Sequence, residues 1–255
     1  MRLAAAWIRP PRTWVAPDAL VRIGFQRSRL VMFNEAHNGF RRCTRTREVG
    51  RRLLSVAHAA GVRHLAMEAL YPPEWAEYPN RERRPPKALG GYLAQPEMRD
   101  LIASALELGW TLHSYEAEPD SSWVPGREPS HDEINAREDE QAQRLTAAIE
   151  GLADDARLLV WCGNGHLCKR ALDWWQPMAM RLRERSGIDP FAIDQTASVD
   201  LGAGPPAAQR WVEAFSNELK MRGGTAGFLA EDAPDGWPLP HPVDAYLLST
   251  DNEIA

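Results

Sequence analysis

At 255 residues, 44% of them hydrophobic and 25% charged, the chain has the make-up of an ordinary folded protein, long enough to bury one α/β core with an appendage. A net charge of -5 excludes the positive excess that a nucleic-acid scaffold needs. Three cysteines, Cys43, Cys162 and Cys168, are too few for a disulfide framework and fit a reducing compartment. The apolar stretch Leu3-Ala4-Ala5-Ala6-Trp7-Ile8 is cut off by Arg9-Pro10-Pro11 before a signal peptide could form, and no segment approaches the roughly 20 apolar residues of a membrane span. A cytoplasmic protein with no membrane partner is expected.

In chain order, a Pro-rich lead (1–28) precedes a strand at 29–33. A helix follows at 44–60, with Val49, Leu53, Val56, Ala57 and Ala60 at helical spacing, Thr44 as its N-cap and Gly61 as its end. A second strand at 63–68 finishes on Glu68. This β-α-β unit should be parallel and right-handed, which brings both strand ends to one edge. Residues 71–91 read as a long loop rich in Pro, Glu, Arg and Tyr, a candidate lid. A helix at 96–108 and a strand at 111–115 resume the alternation, the strand ending in Glu116-Ala117-Glu118. After a loop at 121–129, a long helix at 131–152 carries Ile134, Gln141, Leu145, Ala148 and Leu152 on one face, with Arg137 on the same face. A strand at 157–162, a helix at 172–185 and a strand at 191–194 complete a core spanning 29–200. Beyond Gly202-Ala203-Gly204-Pro205-Pro206 the pattern weakens to a helix at 209–221 and two apolar runs, 227–230 and 245–248. This extension (201–255) either lengthens the sheet or covers a face of the core. The fold class expected is α/β, a mainly parallel sheet flanked by helices in a single core domain.

Two segments share one grammar. Leu30-Val31-Met32-Phe33 runs into Asn34-Glu35-Ala36-His37-Asn38, and Leu158-Leu159-Val160-Trp161-Cys162 runs into Gly163-Asn164-Gly165-His166. Each delivers a histidine past the C-terminal end of a buried strand, the edge where open α/β sheets bind ligands. Glu35, His37, Glu68 and His166 therefore form the candidate catalytic set. Arg137, on a buried stripe, requires an anionic partner. Glu68 requires a cationic one, and Arg47, early in the helix after the first loop, is the candidate.

The set suits two kinds of chemistry. Two imidazoles and two carboxylates could hold zinc, manganese or iron with an open position. Without metal, one histidine can act as general base on water while a carboxylate fixes its tautomer and arginines hold a developing oxyanion. His58, His64, His113, His131 and His241 read as surface or satisfied core residues. No Gly-x-Ser-x-Gly elbow is present, Cys168 has no evident activating partner, and Gly163-Asn164-Gly165-His166 lacks the lysine of a phosphate loop.

Asn34-Glu35-Ala36-His37-Asn38, Arg47, Ala66-Met67-Glu68, Arg137 and Gly163-Asn164-Gly165-His166 together resemble the erythromycin esterase/ChaN-like superfamily from about residue 30 to 194. The resemblance implies a parallel-sheet α/β core with one cleft and a hydrolase that opens an ester or lactone of a small molecule with histidine-activated water. It implies Glu35, His37, Glu68 and His166 as catalytic and Arg47, Arg137 and Asn164 as substrate-binding; Asn34 departs from the family, standing where it ordinarily has glycine, and adds a side-chain amide to the cleft as a further substrate-binding group. The ChaN branch implies the alternative of haem or metal binding, with Tyr71, Tyr78, Tyr92 and Tyr115 as available axial ligands. A tailoring enzyme of natural-product assembly using the same cleft is a third reading. The Glu-x-His spacing and the Gly-Asn-Gly-His turn are closer to the ChaN form, whereas an export signal and lipid anchor are not evident in this sequence.

Overall fold

The computed structural model describes residues 8–39, 41–85, 91–118, 127–201, 208–238 and 241–255, the side chain of Tyr92 excepted. Seven strands form one sheet in the order β5-β4-β6-β1-β7-β9-β8. These are β1 (Leu30–Glu35), β4 (His64–Met67), β5 (Thr111–Ser114), β6 (Leu158–Gly163), β7 (Phe191–Asp194), β8 (Thr225–Leu229) and β9 (Ala245–Ser249). Every pairing is parallel except β8 with β9. The α/β class expected from alternating patterns is the class observed.

Strand alternation divides the core into two layers. Val31, Phe33, Leu65, Met67, Leu112, Leu159, Trp161, Phe191 and Ile193 face α1 (Pro17–Arg27), α2 (Thr44–Ala59) and α4 (Pro96–Glu107). Leu30, Met32, Ala66, Leu158, Val160, Cys162 and Ala192 face α5 (His131–Glu150) and α6 (Met178–Ser186). Burial of both faces explains why the central strands read as continuous apolar runs rather than alternating ones.

Several boundaries differ from the expectation. The lead contains α1, and the supposed loop at 71–91 contains α3 (Glu74–Glu82). Cys43, not Thr44, occupies the N-cap of α2. Residues 172–175 close a tight turn with paired Leu172 and Trp175 backbone groups, and α6 begins after Pro177, whose fixed φ suits the approach to a helix and not its interior. The 209–221 helix is two, α7 (Gln209–Ala214) and α8 (Ser216–Met221), and both apolar runs of the extension lengthen the sheet as β8 and β9. Most of the 121–129 loop lies outside the described residues. No helix among those described is long and apolar enough to cross a membrane.

Two features position the site. A small hairpin of β2 (His37–Asn38) and β3 (Arg41–Arg42) projects from the end of β1, turning at Gly39 with φ 58°. Its base is braced by residues 253–255: Arg42 and Ala255 exchange two backbone hydrogen bonds, and Thr44 N–H donates to the Glu253 carbonyl. The 3₁₀ turn Asn164–Leu167 follows β6, whose Gly163 stands in register with Glu35.

Candidate active site

Alternation that turns Phe33 toward α2 turns Glu35 the same way, into contact with Arg47, one turn inside that helix. The guanidinium grips both carboxylate oxygens, Nε to Oε2 at 2.6 Å and Nη2 to Oε1 at 2.9 Å, and its third nitrogen donates to the Gln95 side-chain carbonyl. Trp161 Nε1 donates to Oε2 at 3.0 Å. Gly50 on α2 makes room for that indole, since a Cβ there would lie 2.3 Å from the ring. His37 Nδ1 stands 3.0 Å from Glu35 Oε1. Burial pushes the Glu35 carboxyl up, but the His37 hydrogen bond and the Arg47 charge outweigh it and hold the pKa at about 2. An ionised Glu35 can accept and not donate, so the proton of neutral His37 resides on Nδ1 and Nε2 carries the lone pair.

A parallel arrangement lies across β6. Glu68, just past β4, accepts from Arg137 Nη2 at 2.8 Å and from the Gly163 backbone N–H at 2.7 Å. Its burial is overcome by His166, Arg137 and His37, which bring its pKa to about 2. Arg137 also donates to Glu116, which accepts from Gln141 as well. His166 places Nε2 3.8 Å from Glu68 Oε1 and Nδ1 2.8 Å from Glu138 Oε1. Glu138 is 1% exposed, and its oxygens accept from Trp175 Nε1 and Met178 N. Burial lowers the His166 pKa, but Glu138 and Glu68 together raise it above the ordinary imidazole value. His37 is thus hydrogen-bonded at Nδ1 to a buried carboxylate, while His166 Nδ1 lies at ion-pair distance from one without the alignment of a hydrogen bond.

Gly163 is where the halves meet. A Cβ at that position would fall 2.5 Å from His37 Cε1, 3.0 Å from His37 Nε2 and 3.1 Å from Glu68 Oε2. Glycine is required here for close approach. Gly163→Ala is expected to leave the protein folded and to lower turnover about 100-fold, the usual cost of a misplacement of roughly 1 Å. Comparing circular dichroism with initial rates checks this; an unchanged rate would remove His37 from contact with the reaction.

The four expected catalytic residues are brought together, and Arg137 lies beside them, 42% exposed. The expected substrate-binding residues need correction. Arg47 is fully buried and pairs with Glu35 rather than Glu68, whose partner is Arg137. Asn34 is fully buried, because alternation turns it from Glu35's face to the α6 side. Its Nδ2 donates to the Asn164 carbonyl, Asp194 and Thr196, and its Oδ1 accepts from Gln195 N. Asn164, at φ 26°, donates its side-chain amide to the His37 carbonyl at 3.1 Å, clasping the two loops.

As a metal centre the set does not fit. Both oxygens of Glu35 and both of Glu68 are occupied by donors, two of them guanidinium groups that oppose a cation. Among the described residues no cluster of three or more His, Cys, Asp or Glu is arranged to hold an ion. Of the tyrosines expected as haem ligands, Tyr115 is buried and donates to the Trp161 carbonyl, Tyr78 lies under the Arg81 guanidinium, and Tyr71 lies on the wall of the groove along α5. The Tyr92 side chain is outside the described residues.

Glu138 escaped sequence reading, although its place four residues after Ile134 and three before Gln141 puts it on the buried stripe of α5. Glu116, two residues past the end of β5, is bound to Arg137. Beyond Arg137, between α5 and the chain after β5, runs a groove of about 810 Å³ whose walls include Tyr71, Ala117, Pro129, Ala136, Glu133 and Glu140.

No family model and no curated protein matches the chain. Among solved structures, the type III effector HopBA1 is 14% identical, with 96% of this chain and 98% of that one covered and a TM-score of 0.52. A structure described as bacterial protein toxins is 10% identical over 71% of this chain, with a TM-score of 0.50. This chain covers 36% of that toxin. RRSP, a MARTX toxin effector domain from Vibrio vulnificus CMCP6, is 15% identical over 71% of this chain, with a TM-score of 0.47. At these identities the likeness to the first two is one of fold.

Proposed function

We propose that the protein is a hydrolase of the erythromycin esterase/ChaN-like group that opens an ester or lactone bond of a small molecule, acting in the cytoplasm. The reading is carried by one observation: His37, hydrogen-bonded at Nδ1 to buried Glu35, and His166, 2.8 Å from buried Glu138, both lie beside an ionised Glu68 at one strand edge. In this scheme His37 Nε2 takes a proton from water as its oxygen bonds to the carbonyl carbon. His166, whose hold on its second proton Glu138 and Glu68 strengthen, donates an Nε2–H hydrogen bond to the developing oxyanion. When the tetrahedral intermediate collapses, the proton on His37 passes to the leaving alkoxide, giving alcohol and carboxylic acid. Arg47 serves the base indirectly by keeping Glu35 ionised, and Arg137 does the same for Glu68.

The test is hydrolysis of a panel of aryl esters and macrocyclic and small lactones in ¹⁸O-labelled water. One ¹⁸O in the acid product during a single turnover of excess enzyme is expected, because solvent attacks the carbonyl directly. Absence of turnover across the panel, or an unlabelled acid from the first turnover, would overturn the scheme.

A further inference from the structure

A third imidazole held by a buried carboxylate stands at the same strand edge and has no part in the scheme above. Asp194 ends β7, beside β1, and is fully buried. Its Oδ1 accepts from Asn34 Nδ2, Thr196 N and Thr196 Oγ1 at 2.8, 2.7 and 2.9 Å, and its Oδ2 lies 2.8 Å from His241 Nδ1. The backbone around His241 is pinned: Tyr246 Oη donates to its carbonyl, and Lys169 N–H donates to that of Pro242. Its Nε2 turns toward the Asn164–Leu167 turn, 3.3 Å from where a Cβ on Gly165 would be, while the Trp175 ring lies 2.6 Å from the same point. Trp175 in turn packs edge-on against His166, their rings 6.3 Å apart. Gly165 directly precedes His166, so His241 stands against the turn that carries it.

The charge at this corner favours an anion. Burial lowers the His241 pKa, yet Asp194 overcomes it and the imidazole holds its second proton more tightly than usual. A doubly protonated ring has donors and no acceptor, so Nε2–H needs an acceptor to face. Lys169, the neighbouring ammonium, is committed to Asp189 and Asp244. The His241 side chain is 19% exposed, enough for a group to reach it from outside. One imidazolium beside one buried carboxylate matches a monoanion better than a doubly charged phosphate.

We propose that His241 is a substrate-binding residue that receives a carboxylate on the substrate, at the β7 side of the site, while the bond to be broken lies between His37 and His166. The proposal rests on the hydrolase reading for its substrate and on the Asp194–His241 geometry for its chemistry.

Two matched substrates test it, p-nitrophenyl butyrate and mono-p-nitrophenyl succinate. The wild-type protein is expected to show a KM about tenfold lower for the succinate ester, the effect of one charge-assisted hydrogen bond. His241→Gln should bring the two KM values together, and His241→Arg, which keeps a cationic donor, should restore the difference. An unchanged KM ratio in His241→Gln overturns the proposal. Monomethyl succinate, a monoanion like the ester's own carboxylate, added to ¹⁵N-histidine-labelled protein gives a readout independent of turnover. A shift of the resonance that vanishes in His241→Gln supports the site, and the absence of one overturns it. If neither ester is cleaved but monomethyl succinate moves that resonance, the carboxylate site stands and the hydrolase reading is decided by the ester and lactone panel.

Discussion

His37→Ala is expected to abolish measurable hydrolysis, a loss between about 10²- and 10⁴-fold for removal of a general base, while far-ultraviolet circular dichroism and the urea midpoint stay near wild type. The side chain is on a two-residue strand outside the main sheet, so its removal opens no cavity in either core layer. It leaves Glu35 with the Arg47 fork and the Trp161 donor intact, so the buried charge remains compensated. Activity and stability therefore separate cleanly at this position. Hydrolysis at the wild-type rate in His37→Ala would end its assignment as base.

Arg47→Met is expected to do the opposite, striking stability first. The variant fills much of the same volume with an apolar chain but strips Glu35 of its bidentate partner inside the protein. Removing one member of a buried pair costs about 3–5 kcal/mol, because the other is left as an uncompensated charge. Against a total stability of roughly 5–15 kcal/mol this is a large share. Urea denaturation monitored by tryptophan fluorescence measures it. Adding Glu35→Gln to Arg47→Met should recover part of the loss by removing the stranded charge, and the double-variant cycle isolates the coupling. A loss below about 1 kcal/mol would place the pair in the weak class of surface ion pairs.

The central strands were legible because residues buried on both faces leave long apolar runs, and the strand-end motifs were legible because the runs stop abruptly at polar residues. Partner choice was not. Arg137 reads as needing a carboxylate and Glu68 as needing a cation, with Arg47 the candidate, but which group meets which depends on strand order. β6 lies between β1 and β4, so α2 stands over Glu35 while α5 stands over Glu68. Asn34 illustrates the finer limit: one residue from Glu35, it points to the opposite face, and loop sequence alone gives no sign that Asp194 and Gln195 await its amide. His241 looked like any other surface histidine, because its carboxylate is 47 residues away in the chain. Short helices such as α3 were missed because a proline-rich composition masks them; Pro79 stands inside that helix.

Gly50, Trp161 and Arg47 together close the α2 side of the site. An incoming molecule cannot pass through that wall, whereas Arg137 on the opposite flank is accessible and borders the groove along α5. On the proposed reading, the open flank along α5, with Ala117, Ala136 and Glu140 in its groove, is where selection among molecules falls, and the sealed wall sets how firmly Glu35 is held.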